Sequence, residues 1–128
     1  MFYNINATEE VNLALKKASE VAKEYNNSEV ATEHLLYGIL TVDSPAQQLL
    51  KEYKVNEKSY LALLKENKAE KYSIEVDLQL TERVKKVFLI AQQTASQMGH
   101  TFVTNLHLLM SILMSEGAVA ITILEKAY

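Results

Sequence analysis

Val30-Ala31-Thr32-Glu33-His34-Leu35-Leu36-Tyr37-Gly38-Ile39-Leu40 decides the fold, because it returns as Val103-Thr104-Asn105-Leu106-His107-Leu108-Leu109-Met110-Ser111-Ile112-Leu113. The copies share V-x-x-x-H-L-L-x-x-I-L at one constant offset, and each follows a long amphipathic segment beginning Thr-Glu-x-Val. Aligned without a gap, 8–40 and 81–113 are identical at about a third of positions, among them Thr8/Thr81, Val11/Val84, Ala18/Ala91, Ala22/Ala95 and His34/His107. The identities fall on positions that cap helices or face a core. That is the pattern of a duplicated supersecondary unit, each copy burying its apolar face against the other.

Working outward, the spacing predicts an all-α fold of two pseudo-symmetric repeats of a short-helix bundle. Thr8 with Glu9 and Glu10 reads as a helix start, and Val11, Leu15, Ala18, Ala22 and Tyr25 recur at helical spacing until Asn26-Asn27. A short second helix over about 32–41 takes Thr32 as its N-cap. Asp43-Ser44-Pro45 starts a third, with Ala46, Leu49, Leu50 and Tyr53 on its buried side, and Asn56 caps a fourth with Tyr60, Leu61, Leu63 and Leu64. Residues 68–80 form a charged connector in which Tyr72, Ile74 and Val76 alternate as a short extended piece would. Thr81 restarts the scheme: Val84, Val87, Phe88, Ala91, Ala95 and Met98 make the stripe of a fifth helix stopped by Gly99-His100. A sixth helix is expected near 105–115 and a seventh near 118–127, with Val119, Ala120, Ile123 and Leu124. One residue of slippage then pairs Ala46 with Ala120 and Leu50 with Leu124. The expected organisation is one domain over 1–128, with repeat one at about 8–67 and repeat two at about 81–128. Seven helices are expected, the eighth, mate of the fourth, being missing at the C-terminus.

Composition narrows the function. The net charge of −3 argues against nucleic acid as a partner, which calls for a basic face. With no cysteine, disulfides and thiolate metal sites are excluded. No apolar run spans a bilayer and no basic-then-apolar leader opens the chain, so a cytoplasmic protein without membrane partners is expected. No Gly-rich phosphate loop and no His-Glu-x-x-His occur. Serines and threonines are scattered, mostly at caps, and none lies in a strained elbow sequence, so a non-enzymatic domain without metal is expected. His34 and His107 are repeat mates at helix entries, where a buried histidine closes backbone hydrogen bonds. Glu33 has two readings: a carboxylate complementing the helix dipole, or the receiver of a cationic ligand group between helix N-termini.

The paired Thr-Glu-x-Val helices and the segment Thr32-Glu33-His34-Leu35-Leu36-Tyr37-Gly38-Ile39-Leu40 resemble the N-terminal domain of the Clp family of AAA+ unfoldases, closest to the ClpC type. The resemblance implies an eight-helix, pseudo-twofold module that does no chemistry and docks substrates and adaptors such as MecA-like proteins. The parent ATPase would deliver them to the ClpP peptidase. It implies no cofactor in this domain, ATP and Mg belonging to downstream ATPase modules, and a monomeric isolated domain. A stand-alone homologue that binds, stabilises or regulates the Clp protease core is the alternative.

In ClpC-type domains the Glu of Thr-Glu-His takes the guanidinium of phosphoarginine, and the phosphate sits near the Thr that opens the repeat. Carried over, this implies Thr8, Thr32 and Glu33 in repeat one, although Asn6 and Glu10 stand where arginines are usual. Repeat two keeps Thr81 and Arg83 but has Asn105-Leu106 for Thr-Glu, which implies a degenerate second site. Phe2 matches an aromatic of the family's apolar docking surface, and packing over the first helix explains it equally well.

Overall fold

The computed structural model describes residues 6–66, 79–115 and 117–127. The first half holds α1 (Glu9–Glu24), β1 (Glu29–Val30), α2 (Thr32–Thr41), α3 (Pro45–Glu52) and α4 (Glu57–Glu66). The second holds β2 (Gln79–Leu80), α5 (Glu82–Gln97), α6 (Asn105–Leu113) and α7 (Val119–Ala127). The fold is therefore nearly all-α, with seven helices among the described residues. α4 has no mate among them. Phe2 and the alternating stretch Tyr72-Ile74-Val76 lie outside the described residues.

Local chemistry sets most boundaries. Ser44 Oγ accepts the Gln47 N–H at 3.2 Å, Thr81 Oγ1 that of Val84 at 3.2 Å, and Asn56 Oδ1 that of Ser59 at 3.1 Å. Each satisfies a donor that a helix start would otherwise leave bare. The long helices end alike. Asn26 (φ 60°) and Gly99 (φ 76°) turn left-handed. The next N–H then folds back, Asn27 to Ala22 O at 2.9 Å and His100 to Ala95 O at 2.8 Å.

The repeats are joined at their helix starts. β1 pairs in parallel with β2, Val30 opposite Leu80, and Ala7 bridges Val103 in the same sense. These are mates: in the alignment Ala7 corresponds to Leu80 and Val30 to Val103. Thr81 N–H donates to Val30 O at 3.0 Å and Thr8 N–H to Val103 O at 3.0 Å. Each repeat thus lends its opening segment to the other, about a pseudo-twofold axis. Val30, Leu80 and Val103 are buried there, beside a core of Leu35, Leu36, Ile39, Leu108, Leu109 and Ile112.

One pair of mates breaks the symmetry. At Gly38 in α2 an added Cβ would stand 2.1 Å from Ala14 O and 2.9 Å from Ala14 C, so only glycine lets α1 lie this close. The mate is Ser111, whose Oγ instead donates to Val87 O of α5 at 2.8 Å. The same helix pair is closed by backbone contact in one repeat and by a hydroxyl bridge in the other.

Three details differ from the expectation. The N-cap of α2 is Ala31, not Thr32; Thr32 is the first helical residue. α6 ends at Leu113, two residues short of 115. Met98, Tyr53, Leu49 and Val119 are exposed rather than part of buried stripes. Met98 and Tyr53 sit at helix C-caps, where the chain leaves the packed face.

Candidate functional site

α2 and α6 begin without a capping hydrogen bond from a hydroxyl, and histidine does that work. His34 Nδ1 accepts the Ala31 N–H at 2.9 Å, and His107 Nδ1 accepts the Thr104 N–H at 2.9 Å. Because Nδ1 is an acceptor in both, Nε2 carries the proton and donates: His34 to Asn27 Oδ1 at 3.1 Å, His107 to His100 Nδ1 at 2.9 Å. Asn27 and His100 are themselves mates. Burial disfavours the imidazolium, pushing His34 down to about 4 and lowering His107, which the neighbouring His100 lowers further. The His100–His107 pair is poorly made for a metal. A metal on His107 Nε2 would need a proton on Nδ1, which already faces the Thr104 N–H and, at 3.1 Å, its hydroxyl. Among the described residues no group of three or more His, Asp or Glu converges as a metal site would require.

With the caps settled by histidine, Thr32 and Glu33 are left for other work. Thr32 is buried and Glu33 half-buried in the first turn of α2. Desolvation raises the Glu33 pKa, and hydrogen bonds from its own backbone N–H and the Thr32 side chain pull it back only in part. From below, Tyr60 of α4 donates its hydroxyl to Glu33 O at 2.7 Å and stacks on Tyr37 with ring centroids 6.2 Å apart. Glu33 is therefore a carboxylate on a rigid floor, in surroundings that favour gaining a positive partner.

The grouping of the site residues differs from the one expected. The resemblance, carried over repeat by repeat, groups Thr8 with Thr32 and Glu33, and Thr81 and Arg83 with Asn105-Leu106. The strand pairing exchanges them: through Thr81 N–H on Val30 O, the start of α5 lies beside the start of α2. Thr8, whose N–H and hydroxyl both donate to Val103 O, at 3.0 and 3.4 Å, lies beside the start of α6. The two junctions are Thr32-Glu33 with Thr81, and Thr8 with Asn105-Leu106. Arg83, on the first turn of α5, directs its guanidinium to Ser115 Oγ at 3.4 Å, at the far end of α6.

Glu10 and Asn105 are partners that the sequence does not lead one to expect. Glu10 Oε2 accepts the Asn105 N–H at 3.0 Å, and Asn105 Nδ2 donates to Glu10 O at 3.2 Å. A carboxylate of this chain thus occupies the positive end of α6, where an anion would otherwise be drawn. The signal was present in Glu10 standing where the resemblance leads one to expect arginine, but its target is 95 residues away.

Set beside known proteins, the architecture has a clear home. Residues 6–127 match the family model described as the Clp repeat (R) N-terminal domain. The chain belongs to that family. This Clp repeat domain is 31% identical over 119 residues to a probable ATP-dependent Clp protease ATP-binding subunit of Chlamydia pneumoniae, covering 89% of the chain and 14% of that protein. It is 28% identical over 128 residues to the chloroplastic chaperone protein ClpC of Pisum sativum, covering 93% of the chain and 13% of that protein. The Clp repeat domain thus spans about one seventh of these relatives. In fold it resembles the N-terminal domain of the chaperone ClpD from Arabidopsis thaliana, with a TM-score of 0.78, 22% identity, and coverage of 98% of this chain and 86% of that one. No helix among the described residues is long and apolar enough to cross a membrane.

Proposed function

We propose that this domain docks substrate or adaptor proteins for a Clp-type unfoldase, and that it takes the guanidinium of an arginine or phosphoarginine side chain at Glu33. The observation that carries this reading is the junction of the α2 and α5 starts. The Thr81 N–H on Val30 O joins the α5 start to the strand that leads into α2, in whose first turn Glu33 is half-buried, and this supports the reading. A guanidinium offers a carboxylate two parallel donors, and a helix N-terminus favours a phosphate on the same ligand. Glu33 with Thr32 receives the cation; the start of α5, with Thr81, faces the anion. Arg83 sets the charge of that turn from its position toward Ser115. The α1–α6 junction is the silent copy, because Leu106 replaces the carboxylate and Glu10 fills the helix end.

The domain does no chemistry in this reading. It delivers a bound protein, directly or through a MecA-like adaptor, to an ATPase that feeds the ClpP peptidase. A titration of the isotope-labelled chain with phosphoarginine, followed by backbone amide shifts, tests the site. Saturable shifts confined to Val30–Leu35 and Leu80–Val84 are expected. Shifts confined to the mate junction, Ala7–Val11 and Val103–Leu108, or no shifts, would overturn the assignment.

A further inference from the structure

Gly38 and Ser111 are mates, and so are the residues they face, Ala14 and Val87. Where glycine lets α2 touch α1, the Ser111 hydroxyl stands between α6 and α5, donating to Val87 O at 2.8 Å. Beside this bridge runs a groove of about 530 Å³ between the first half of α5 and the end of α6. Its mate, between α1 and the end of α2, is smaller, about 340 Å³. That mate stays open although α4 packs on α2, so the groove belongs to the helix pair itself. The two linings differ in chemistry. Leu13 and Lys17 of α1 correspond to Lys86 and Ile90 of α5, and Thr41 of α2 to Met114 of α6. In the smaller groove Lys16 and Lys17 are balanced by Glu20 and Asp43. The larger one sets Arg83 and Lys86 against a single carboxylate among its described residues, Glu82, which is already paired with Lys85 at 3.0 Å. Lys86 has no hydrogen-bond or ion-pair partner among the described residues. Arg83 reaches across the mouth to Ser115 Oγ at 3.4 Å. Between the helices Val87 is buried, Ile90 half-buried and Met114 69% exposed.

We propose that the α5–α6 groove receives an extended segment of a partner protein, with an aspartate or glutamate two residues from an aliphatic side chain. Arg83, Lys86, Val87 and Ile90 stand at i, i+3, i+4 and i+7, so they form one stripe of α5. Cations lead the stripe and apolar side chains follow. Four residues of helix rise about 6 Å, the span of two residues of an extended chain. The carboxylate meets the fork of Arg83 and the Lys86 ammonium. The aliphatic side chain lies on Val87 and Ile90 beside Met114, whose unbranched thioether adapts to its shape. Charge complementarity selects this occupant. A wholly apolar segment would bring two cations out of water without a partner, and a bare anion would leave the apolar floor uncovered. The groove opens on the α6 side of α5, whereas Glu33 stands on α2, so the assignment does not depend on phosphoarginine binding.

The probe is the synthetic peptide acetyl-Gly-Ser-Asp-Ala-Leu-Ser-Gly-amide, titrated into the isotope-labelled 128-residue chain. Saturable amide shifts are expected at Lys86–Ile90 and Ser111–Ser115. Lys86→Glu or Met114→Asp in the chain should weaken binding at least about tenfold, as should lysine for the peptide's aspartate or serine for its leucine. Lys17→Glu, in the mate groove, should leave it unchanged. Lys86 and Met114 are both exposed, and circular dichroism of each variant verifies folding. No saturation by about 5 mM peptide would overturn the proposal. So would equal shifts at Leu13–Lys17 and Thr41–Asp43, or equal binding by Lys86→Glu. The same shifts from sodium acetate at equal concentration would reduce the groove to a bare anion site and overturn it. A concentration-dependent dimer in sedimentation that Lys86→Glu abolishes would assign the groove to a second copy and overturn it as well.

Discussion

Gly38→Ala is a sharp test of how the first repeat is packed. In an unencumbered helix this substitution stabilises by about 1 kcal/mol, through helix propensity alone. Here the new methyl would meet Ala14 O at 2.1 Å and Ala14 C at 2.9 Å. Both atoms belong to the backbone of α1 and cannot swing aside as a side-chain tip could. Restoring ordinary contact requires α1 and α2 to part by roughly 1 Å, at a junction lined by Ala14, Ala18, Leu35 and Ile39, all fully buried. Overpacking a core costs about 1–3 kcal/mol, and a rigid backbone partner belongs at the upper end of that range. Subtracting the propensity gain leaves a net loss of about 2 kcal/mol, or a fall in Tm of about 8 °C for a domain of this size. Urea unfolding followed by circular dichroism reads it directly. The mate supplies the control: Ser111→Ala removes only the 2.8 Å hydrogen bond to Val87 O and should cost about 1 kcal/mol. If Gly38→Ala unfolded at higher urea than the wild type, the close approach of the two helices would be refuted.

Three further outcomes follow from the same geometry. Tyr60→Phe removes the hydroxyl that donates to Glu33 O at 2.7 Å and should lower stability by about 1 kcal/mol in the same urea assay. His34 is pushed down to about 4 when folded, so its contribution is complete above its unfolded value near 6.5 and is lost as pH falls through the folded one. The loss approaches about 3 kcal/mol across that window, and a flat urea midpoint between pH 6.5 and 5 would contradict it. Glu33 carries the opposite sign: its raised pKa favours folding at low pH and is a cost once the group ionises. Glu33→Gln should therefore raise Tm at pH 7 and lose that advantage near pH 4; a lower Tm at pH 7 would show that the carboxylate already has a stabilising partner.

Much of the fold is legible in the sequence because its signals are local. Ser44-Pro45, Asn56 and Thr81 mark helix starts by their own side chains, and Asn26 and Gly99 mark ends by tolerating a left-handed backbone. The V-x-x-x-H-L-L repeat marks the core because burial repeats with the duplication. What stayed hidden is non-local. Two-residue strands have no periodicity to read, so the exchange that seats Thr81 beside Val30 and Thr8 beside Val103 was invisible, and with it the membership of each junction. Glu33 could be singled out as a first-turn carboxylate, but its half-buried state depends on helices far away in sequence. Thr32 looked like a cap because its type suits one; the cap fell to His34, whose ring reaches back three residues to the Ala31 N–H.

In the proposed function, Glu33 at the α2–α5 junction receives a cationic side chain. Isothermal titration of phosphoarginine into the wild-type chain and into Glu33→Ala tests it most directly. One saturable site per chain is expected in the wild type and its loss in the variant, with Leu106 and Glu10 keeping the mate junction silent. Equal binding by the two proteins, or two equivalent sites in the wild type, would contradict it.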